Sequence, residues 1–181
     1  HVAAAAQLIN KAKRPLALVG HGVELGGAQN ELVEFLEKAD IPAARTLLGL
    51  SALPSDHPLN VGMLGMHGSY APNVMTQQAD VIIAIGMRFS DRVTGRLDTY
   101  AKQAKIIHLD IDNVEIDKNV KTDVSVVGDC KMSLPAITRL LNKNEHTEWI
   151  EGFKPYLQQE TEKVIEPAIH PKEGPLLMGE V

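Results

Sequence analysis

The segment from Val81 to Ile85 is apolar at every position and lies between Asp80 and Gly86. A strand with one face in water alternates apolar and polar residues, whereas a strand covered on both faces is apolar throughout. The segment is shorter than a typical helix, so we interpret it as a strand in the middle of a sheet. A buried strand of this kind requires a layer of helices on each face of the sheet.

Shorter apolar segments and helical patterns alternate along the rest of the chain. Helical spacing of apolar residues predicts helices over 3–13, 26–38, 70–78 and about 130–141, while short apolar segments predict strands over 16–19, 41–46, 105–110 and 124–127. Segments 51–62 and 88–94 are predicted to be loops. This alternation predicts a doubly wound α/β fold, with a mainly parallel sheet and helices on both faces.

Composition is typical of a globular domain. The 181 residues suffice for one domain with a buried core, and 44% of them are hydrophobic and 23% charged. The net charge of −5 includes no basic excess, so nucleic-acid binding is not expected. No apolar segment reaches the roughly 18 residues of a membrane span. Cys130 is the only cysteine, and we expect a cytoplasmic protein without an internal disulfide.

The residues that follow the predicted strands have the side chains that a nucleotide site needs. In an open α/β sheet, ligands bind beyond the carboxyl ends of the strands, so these residues are expected to meet at one edge. Glycine lets the backbone approach a ligand, arginine pairs with phosphate, and a carboxylate accepts hydrogen bonds from ribose hydroxyls. In chain order these residues are Gly20 and Gly22, Thr46 and Leu47, Gly86 to Arg92, Asp110 and Ile111, and Gly128 and Asp129.

Several of these residues also have an ordinary structural explanation. The turn from Gly20 to Gly22, taken alone, is explained more simply by the backbone angles that a strand-to-helix turn needs. Arg88 and Arg92 are typical of loop ion pairs, and Asp110 is typical of a turn cap. His67 beside Gly68 fits an ordinary turn histidine.

A nicotinamide dehydrogenase is disfavoured because its nucleotide fingerprint is incomplete. Leu25 occupies the position of the third glycine, and Gly26 comes one residue late. Arg45 and Thr46 stand where an acidic residue is expected after the second strand. The histidines and aspartates show no spacing typical of metal ligands, and His108 within an apolar strand is expected to be structural.

Three segments together resemble the middle domain of acetolactate (acetohydroxyacid) synthase catalytic subunits. They are GMLGMHG at 62–68, RFSDRVTG at 88–95 and HLDID at 108–112, and the segments TLLGL at 46–50 and EIDKN at 115–119 support the match. The resemblance extends over residues 1–143. It implies a central FAD-binding-type domain at 1–143, followed at 144–181 by an amphipathic segment and a linker toward an absent C-terminal thiamine-diphosphate domain.

The resemblance also implies a reaction. The family condenses two pyruvates, or pyruvate and 2-oxobutyrate, with release of CO2 in branched-chain amino-acid biosynthesis. The middle domain binds FAD, although the reaction has no net redox change, while the other two domains hold thiamine diphosphate and Mg²⁺. The implied partners are the two missing domains of the same subunit, further copies in a homo-oligomer and a small regulatory subunit.

The family's flavin contacts are implied at matching positions of this chain. Asp91 and Arg92 match positions at the substrate channel. Ser90 departs from the family, which usually has aspartate there, and His21 stands where the family often has glycine. The implied flavin contacts are Gly20, Gly22, Thr46, Leu47, Leu64, Gly65, Met66, His67, Gly86, Met87, Arg88, Phe89, Ser90, Asp110, Ile111, Asp129 and Cys130.

The chain lacks the motifs that activate thiamine diphosphate in this family. Neither a suitable glutamate motif nor a Gly-Asp-Gly followed by asparagine at the required distance is present, so we expect the chain alone to be inactive. Trp149, Phe153 and Tyr156 are expected to form an exposed apolar surface for neighbouring domains, in a segment interrupted by Pro155. The middle domain of another thiamine-diphosphate decarboxylase or carboligase, or a purely structural assembly domain, are the alternatives.

Overall fold

A computed structural model describes residues 1–169 and shows a six-stranded parallel sheet in the order β3-β2-β1-β4-β5-β6. The chain builds one half of the sheet outward from β1 and then returns to build the other half outward from β4. The predicted doubly wound α/β fold is therefore confirmed. The strands are β1 Pro15–Val19, β2 Ala43–Arg45, β3 Asn60–Met63, β4 Val81–Ile85, β5 Lys105–Asp110 and β6 Val124–Val127.

Helices cover both faces of the sheet. The described helices are α1 Val2–Lys11, α2 His21–Leu25, α3 Gln29–Ala39, α4 Tyr70–Thr76, α5 Asp91–Thr94, α6 Cys130–Thr138, α7 Thr147–Glu151, α8 Lys154–Glu160 and α9 Glu166–Ile169. A 3₁₀ helix spans Leu47–Ala52, and one wider turn at Thr161–Ile165 joins α8 to α9. No helix in residues 1–169 is both long and apolar enough to cross a membrane.

The apolar residues of β4 divide between two cores, which explains why the segment has no polar position. Ile83 and Ile85 point into a core formed with α1, α3 and α6. Ile82 and Ala84 point into a second core on the opposite face. All five residues of the strand are buried, as a central parallel strand requires.

Four local predictions differ from the structure. The predicted 26–38 helix begins only at Gln29, because Gly27 has a positive φ of 60° that interrupts the helical backbone, and the short helix α2 before it, at His21–Leu25, lies where a turn is predicted. The predicted strand 41–46 forms ladder pairs only at Ala43–Arg45, after Pro42. The predicted loop 51–62 contains the end of a 3₁₀ helix and the edge strand β3, which is only partly buried and has no apolar run. The predicted loop 88–94 contains α5.

The segment after residue 143 packs on the sheet, so the expected exposure of its aromatic residues is wrong for two of the three. Trp149 and Phe153 belong to the second core, and the indole N–H of Trp149 donates to the Pro15 carbonyl at 2.7 Å. Tyr156 is half-buried against the same core. Pro155 lies in the first turn of α8, where its missing N–H costs no hydrogen bond. The predicted linker is helical as far as Ile169, and its remainder lies outside the described residues.

Candidate functional site

The carboxyl edge of the sheet has its topological switch between β1 and β4, where ligands of doubly wound sheets bind. The backbones that follow these two strands touch each other. Gly20 N–H donates to the Ile85 carbonyl at 2.9 Å, and Gly22 N–H donates to the Gly86 carbonyl at 2.9 Å. The loop after β4 is thus fixed against the start of α2.

Glycine is required at this crossing by the surrounding backbone. A Cβ at Gly20 would lie 2.3 Å from the Gly86 oxygen, and one at Gly22 would lie 2.7 Å from the Gly86 Cα. Gly86 itself has φ +56°, which disfavours other residues. These contacts support the turn explanation for Gly20, while Gly22 lies inside α2 rather than in a turn.

The loop after β4 leaves several hydrogen-bond donors without acceptors. Arg88 is exposed, and its guanidinium makes no hydrogen bond or ion pair within the described residues. The amide groups of Met87, Arg88 and Phe89 likewise have no acceptor in that part of the chain. Successive free amides beside an arginine form a site suited to an anionic group such as phosphate.

His108, on β5, contacts the loop after β4. Its Nε2 lies 2.9 Å from the Met87 carbonyl and therefore carries the proton, and its ring packs edge-on against Phe89 at 5.1 Å. Burial lowers the pKa of His108, although the Met87 carbonyl and Asp110 oppose that shift. The imidazole is thus neutral, in agreement with the structural role predicted for it.

Asp110 and Asp129 each make a local capping contact. Asp110 Oδ1 accepts from the Asp112 amide at 2.9 Å, and Asp129 Oδ1 accepts from the Lys131 amide at 2.7 Å as the N-cap of α6. The turn-cap explanation for Asp110 is therefore confirmed. Its Oδ2 lies 3.9 Å from His108 Nε2, too far for a hydrogen bond, and can still accept from a ligand.

Apolar side chains are exposed around the same edge. Leu47, Met66 and Ile111 are 66%, 65% and 71% exposed. The hydroxyls of Thr46 and Ser90 precede a helix each, but neither makes a side-chain capping bond. Exposed apolar groups next to unused hydroxyls and cations suit a ligand with both a flat apolar ring and a polar chain.

A cavity of about 360 Å³ lies beside the end of β3 and brings together a second group of the predicted residues. Leu64, Gly65 and Met66 line it from one side, and Asp91 and Arg92 from the other. The Met66 amide donates to the Arg92 carbonyl at 2.7 Å, which fixes the two loops to each other. The predicted channel residues therefore lie against the loop that follows β3.

The remaining predicted residues differ in exposure. Leu64, Met87, Phe89 and Cys130 have buried side chains, so a ligand at the edge would reach mainly their backbone. His67 is exposed. Burial raises the pKa of the Cys130 thiol to about 11, so it is uncharged near neutral pH.

Three residues near the edge were missed by sequence reasoning. Arg45 is buried and donates to the carbonyls of Leu50 and Leu53 at 2.7 and 2.9 Å. Asn73 bonds both the N–H and the carbonyl of Gly65 at 2.9 Å, and Tyr100 also lines the cavity. Arg45 and Asn73 bind main-chain atoms, which are present at every residue and leave no pattern in the sequence.

The residues at the edge fit a flavin nucleotide but not a metal. Free amides and Arg88 suit its phosphates, and the exposed apolar groups suit its rings. Within residues 1–169, histidine, cysteine, aspartate and glutamate side chains form no cluster of three that could hold a metal ion.

The chain matches a known family along most of its length. Residues 2–137 match the family described as "Thiamine pyrophosphate enzyme, central domain". This range contains all six strands and every predicted site residue.

Three relatives that match the chain are named as large subunits of acetolactate synthase. The chain is 48% identical over 151 residues to a protein named probable acetolactate synthase large subunit from Methanocaldococcus jannaschii, covering 81% of the chain and 25% of the relative. It is 44% identical over 160 residues to a protein of the same name from Methanococcus aeolicus, covering 82% and 27%. It is 45% identical over 139 residues to acetolactate synthase isozyme 2 large subunit from Escherichia coli, covering 77% and 25%. The chain thus spans about a quarter of the length of these relatives.

Proposed function

Because the chain belongs to the family of thiamine pyrophosphate enzyme central domains, we propose that it is the FAD-binding domain of an acetolactate synthase large subunit. The whole subunit condenses two pyruvates, or pyruvate and 2-oxobutyrate, with loss of CO2. Support comes from the named relatives and from the arrangement of donors at the carboxyl edge.

The observation that carries flavin binding is the set of unused donors after β4. Arg88 and the amides from Met87 to Phe89 lack acceptors within the described residues, at the topological switch of the sheet. We assign the flavin diphosphate to these groups and the ribose hydroxyls to Asp110. Thr46, Leu47 and Met66 then contact the rings, and Ser90 contributes a hydroxyl in place of a carboxylate.

The condensation involves no net redox change. The contribution of this domain is therefore to bind and orient the flavin. Asp91 and Arg92, at the cavity beside β3, face the substrate channel in this proposal. Thiamine diphosphate and Mg²⁺ belong to the other domains of the subunit in this proposal. We propose a cytoplasmic homo-oligomer with a small regulatory subunit.

The test of flavin binding is titration of the full-length subunit with FAD, followed by quenching of flavin fluorescence. Arg88→Ala should weaken FAD binding roughly ten- to a hundredfold, because a hydrogen bond to a charged group contributes about 1.5–3 kcal/mol. Arg139→Ala removes an exposed arginine at the end of α6 and should leave affinity unchanged. Equal affinity for the wild type and Arg88→Ala would refute the assignment of Arg88.

Carboligation requires the missing domains. The 181-residue chain, supplied with pyruvate, thiamine diphosphate, Mg²⁺ and FAD, should form no acetolactate, because thiamine chemistry needs a protein site that activates the cofactor. The full-length subunit should form it under the same conditions. Acetolactate formation by the isolated chain would falsify this division of labour.

A further inference from the structure

Each of the four carbonyl groups from Gly86 to Phe89, in the loop after β4, accepts a hydrogen bond from within the protein. Two of the donors are backbone amides and two are side chains. In the order of the carbonyls, the donors are the Gly22 amide at 2.9 Å, His108 Nε2 at 2.9 Å, the Ser90 amide at 2.8 Å and Asn119 Nδ2 at 2.8 Å. The loop is therefore held through all four of these oxygens.

The bound carbonyls determine where the amides of the same loop point. In a planar trans peptide, the carbonyl of one residue and the N–H of the next point in opposite directions. Since each carbonyl is turned toward its donor, the N–H group that follows it is turned the opposite way. The N–H groups oriented in this manner include those of Met87, Arg88 and Phe89, which have no acceptor within residues 1–169. The unused donors of the loop thus lie on the side away from its bound carbonyls.

Asn119 reaches this loop from the irregular connection between β5 and β6. Asn119 is exposed, but its neighbours hold the connection in place. Val120 packs against the second core, and Asp117 Oδ1 accepts from the Thr122 amide at 2.6 Å. The side-chain amide of Asn119 is thereby kept next to the Phe89 carbonyl.

The effect of Asn119 extends beyond the carbonyl that it binds. The peptide between Phe89 and Ser90 also carries the Ser90 N–H, which donates to the Arg88 carbonyl at 2.8 Å. The Arg88 carbonyl in turn shares its peptide with the unused Phe89 N–H. Loss of the Asn119 bond would release the first of these peptides and, through it, the second. The orientation of the Phe89 amide therefore depends on a side chain that lies 30 residues later in the chain.

We propose that Asn119 is a positioning residue for the flavin diphosphate. It acts through the main chain of the loop after β4, by holding the Phe89 carbonyl away from the anion and the unused amides toward it. Successive amides that point the same way favour an anion, whereas a carbonyl oxygen in their place would repel it. The inference rests on the proposed flavin function and adds to it a residue outside the implied flavin contacts.

Titration of the full-length subunit with FAD at pH 7.5 and at pH 5.0, followed by quenching of flavin fluorescence, tests this role. At pH 7.5, Asn119→Ala should weaken FAD binding about threefold, because it removes one hydrogen bond. Asn119→Asp should weaken it at least about tenfold, because a carboxylate cannot donate and repels the Phe89 carbonyl.

Acid should restore binding in the aspartate variant. A carboxyl group that faces a carbonyl oxygen is favoured in its protonated form, which can donate as the amide does. At pH 5.0, the loss caused by Asn119→Asp, relative to the wild type at the same pH, should therefore shrink to about threefold or less. The matched control, Asn142→Asp, introduces the same charge at an exposed residue after α6 and should bind FAD as the wild type does at both pH values.

The outcomes separate this role from flavin binding itself. If the wild type binds FAD and Asn119→Asp binds it as tightly as Asn142→Asp does, Asn119 does not position the loop. A loss of affinity that is equally large at pH 5.0 and at pH 7.5 would also overturn the role, since the donated proton would not be its cause. A wild-type subunit that binds no FAD would instead overturn the proposed function, and this inference with it. Circular dichroism of the FAD-free variants establishes that the fold is retained.

Discussion

His108 is the buried residue that links the sheet to the loop carrying Arg88. Its ring is fully buried and makes one hydrogen bond, to the Met87 carbonyl, while Nδ1 has no partner within residues 1–169. A second proton on this ring would be placed on Nδ1, where no acceptor receives it. The neutral ring is therefore part of the folded state.

This predicts that stability falls in mild acid. The pKa of His108 is lowered in the folded state, so the unfolded chain binds a proton more readily, and folding loses free energy as the pH falls through about 6.5 and below. Above that range the contribution is fully present. Urea unfolding at pH 8.0 and at pH 5.5 measures the difference in the free energy of unfolding. His108→Phe should be less stable at pH 8.0 but should lose less on acidification; an unchanged pH dependence would contradict the prediction.

Gly20 offers a second prediction at this scale. Its missing Cβ would lie 2.3 Å from the Gly86 oxygen and 2.4 Å from the Met87 Cβ, so Gly20→Ala must displace the β4 loop. We expect a loss of about 1–3 kcal/mol in the free energy of unfolding, as for overpacking elsewhere. Gly27→Asn is the control, since a Cβ there meets no atom within 4 Å and asparagine tolerates a positive φ. Equal stability of Gly20→Ala and the wild type would show that the crossing is not tight.

Sequence reasoning succeeded with residues whose position after a strand follows from the pattern. Arg88 could be placed at the carboxyl edge because the apolar run before it defines where β4 ends. Arg45 could not be interpreted, since it bonds the carbonyls of Leu50 and Leu53, whose position depends on an unpredicted 3₁₀ helix. Tyr100 is recognisable only once the packing around its hydroxyl is known.

Among the elements, the 3₁₀ helix Leu47–Ala52 depends on one side chain of β2. Arg45 is buried without a carboxylate partner in the described part of the chain, and desolvation lowers its pKa. Its two bonds to the Leu50 and Leu53 carbonyls connect the helix to the strand. These two hydrogen bonds compensate for the cost of burying the charged guanidinium, and they also fix the backbone that carries Leu47.

Arg45→Met should therefore loosen this helix more than the sheet. Methionine fills the space but leaves both carbonyls without a donor, so the helix should open locally. Hydrogen exchange at the Gly49 amide, which bonds the Thr46 carbonyl at 2.9 Å, should accelerate roughly tenfold, corresponding to about 1.4 kcal/mol. Amides of β4 should be unaffected. Arg96→Met, at an exposed position, is the matched control. Equal acceleration of exchange at the Gly49 amide in both variants would show that Arg45 does not hold the 3₁₀ helix in place.

The strength of an element's apolar signal decided whether it could be predicted. β1, β4, β5 and β6 were identified because short apolar runs mark them. β3 was missed because it lies at the edge of the sheet, where three of its four positions are only partly buried. The five-residue helix α2 was missed because the glycines at 20 and 22 also fit a turn, and the late start of α3 was missed because it depends on the backbone angle at Gly27 rather than on hydrophobicity.

For the whole molecule, the helices after residue 143 complete the second core. Phe153 is 1% exposed, and the Trp149 indole is bonded to the first residue of β1. Trp149 and Phe153 also pack edge-on at 5.4 Å. The sequence pattern identified the apolar side of this segment but not the surface it covers, because both belong to one continuous core only in the folded chain.

Ending the chain at residue 143 should destabilise the domain strongly. Removing one large aromatic side chain from a core typically costs about 3–5 kcal/mol, and two are lost here. We expect a lower melting temperature and increased binding of a hydrophobic dye. Leu140→Ala, at a half-exposed position before the cut, is the control and should have little effect. If the truncated chain were as stable as the whole chain, these helices would contribute nothing to the stability of the domain.

Helix α1 and the helical segment that carries Trp149 and Phe153 pack against opposite faces of the sheet. Ala5, Ala6 and Ile9 of α1 belong to the first core, while Trp149 and Phe153 belong to the second. Each core of the domain is therefore closed by helices from a different end of the described chain. Loosening α1 would expose apolar side chains of the first core, and loosening the C-terminal helices would expose those of the second, so damage at one end would leave the opposite face of the sheet covered.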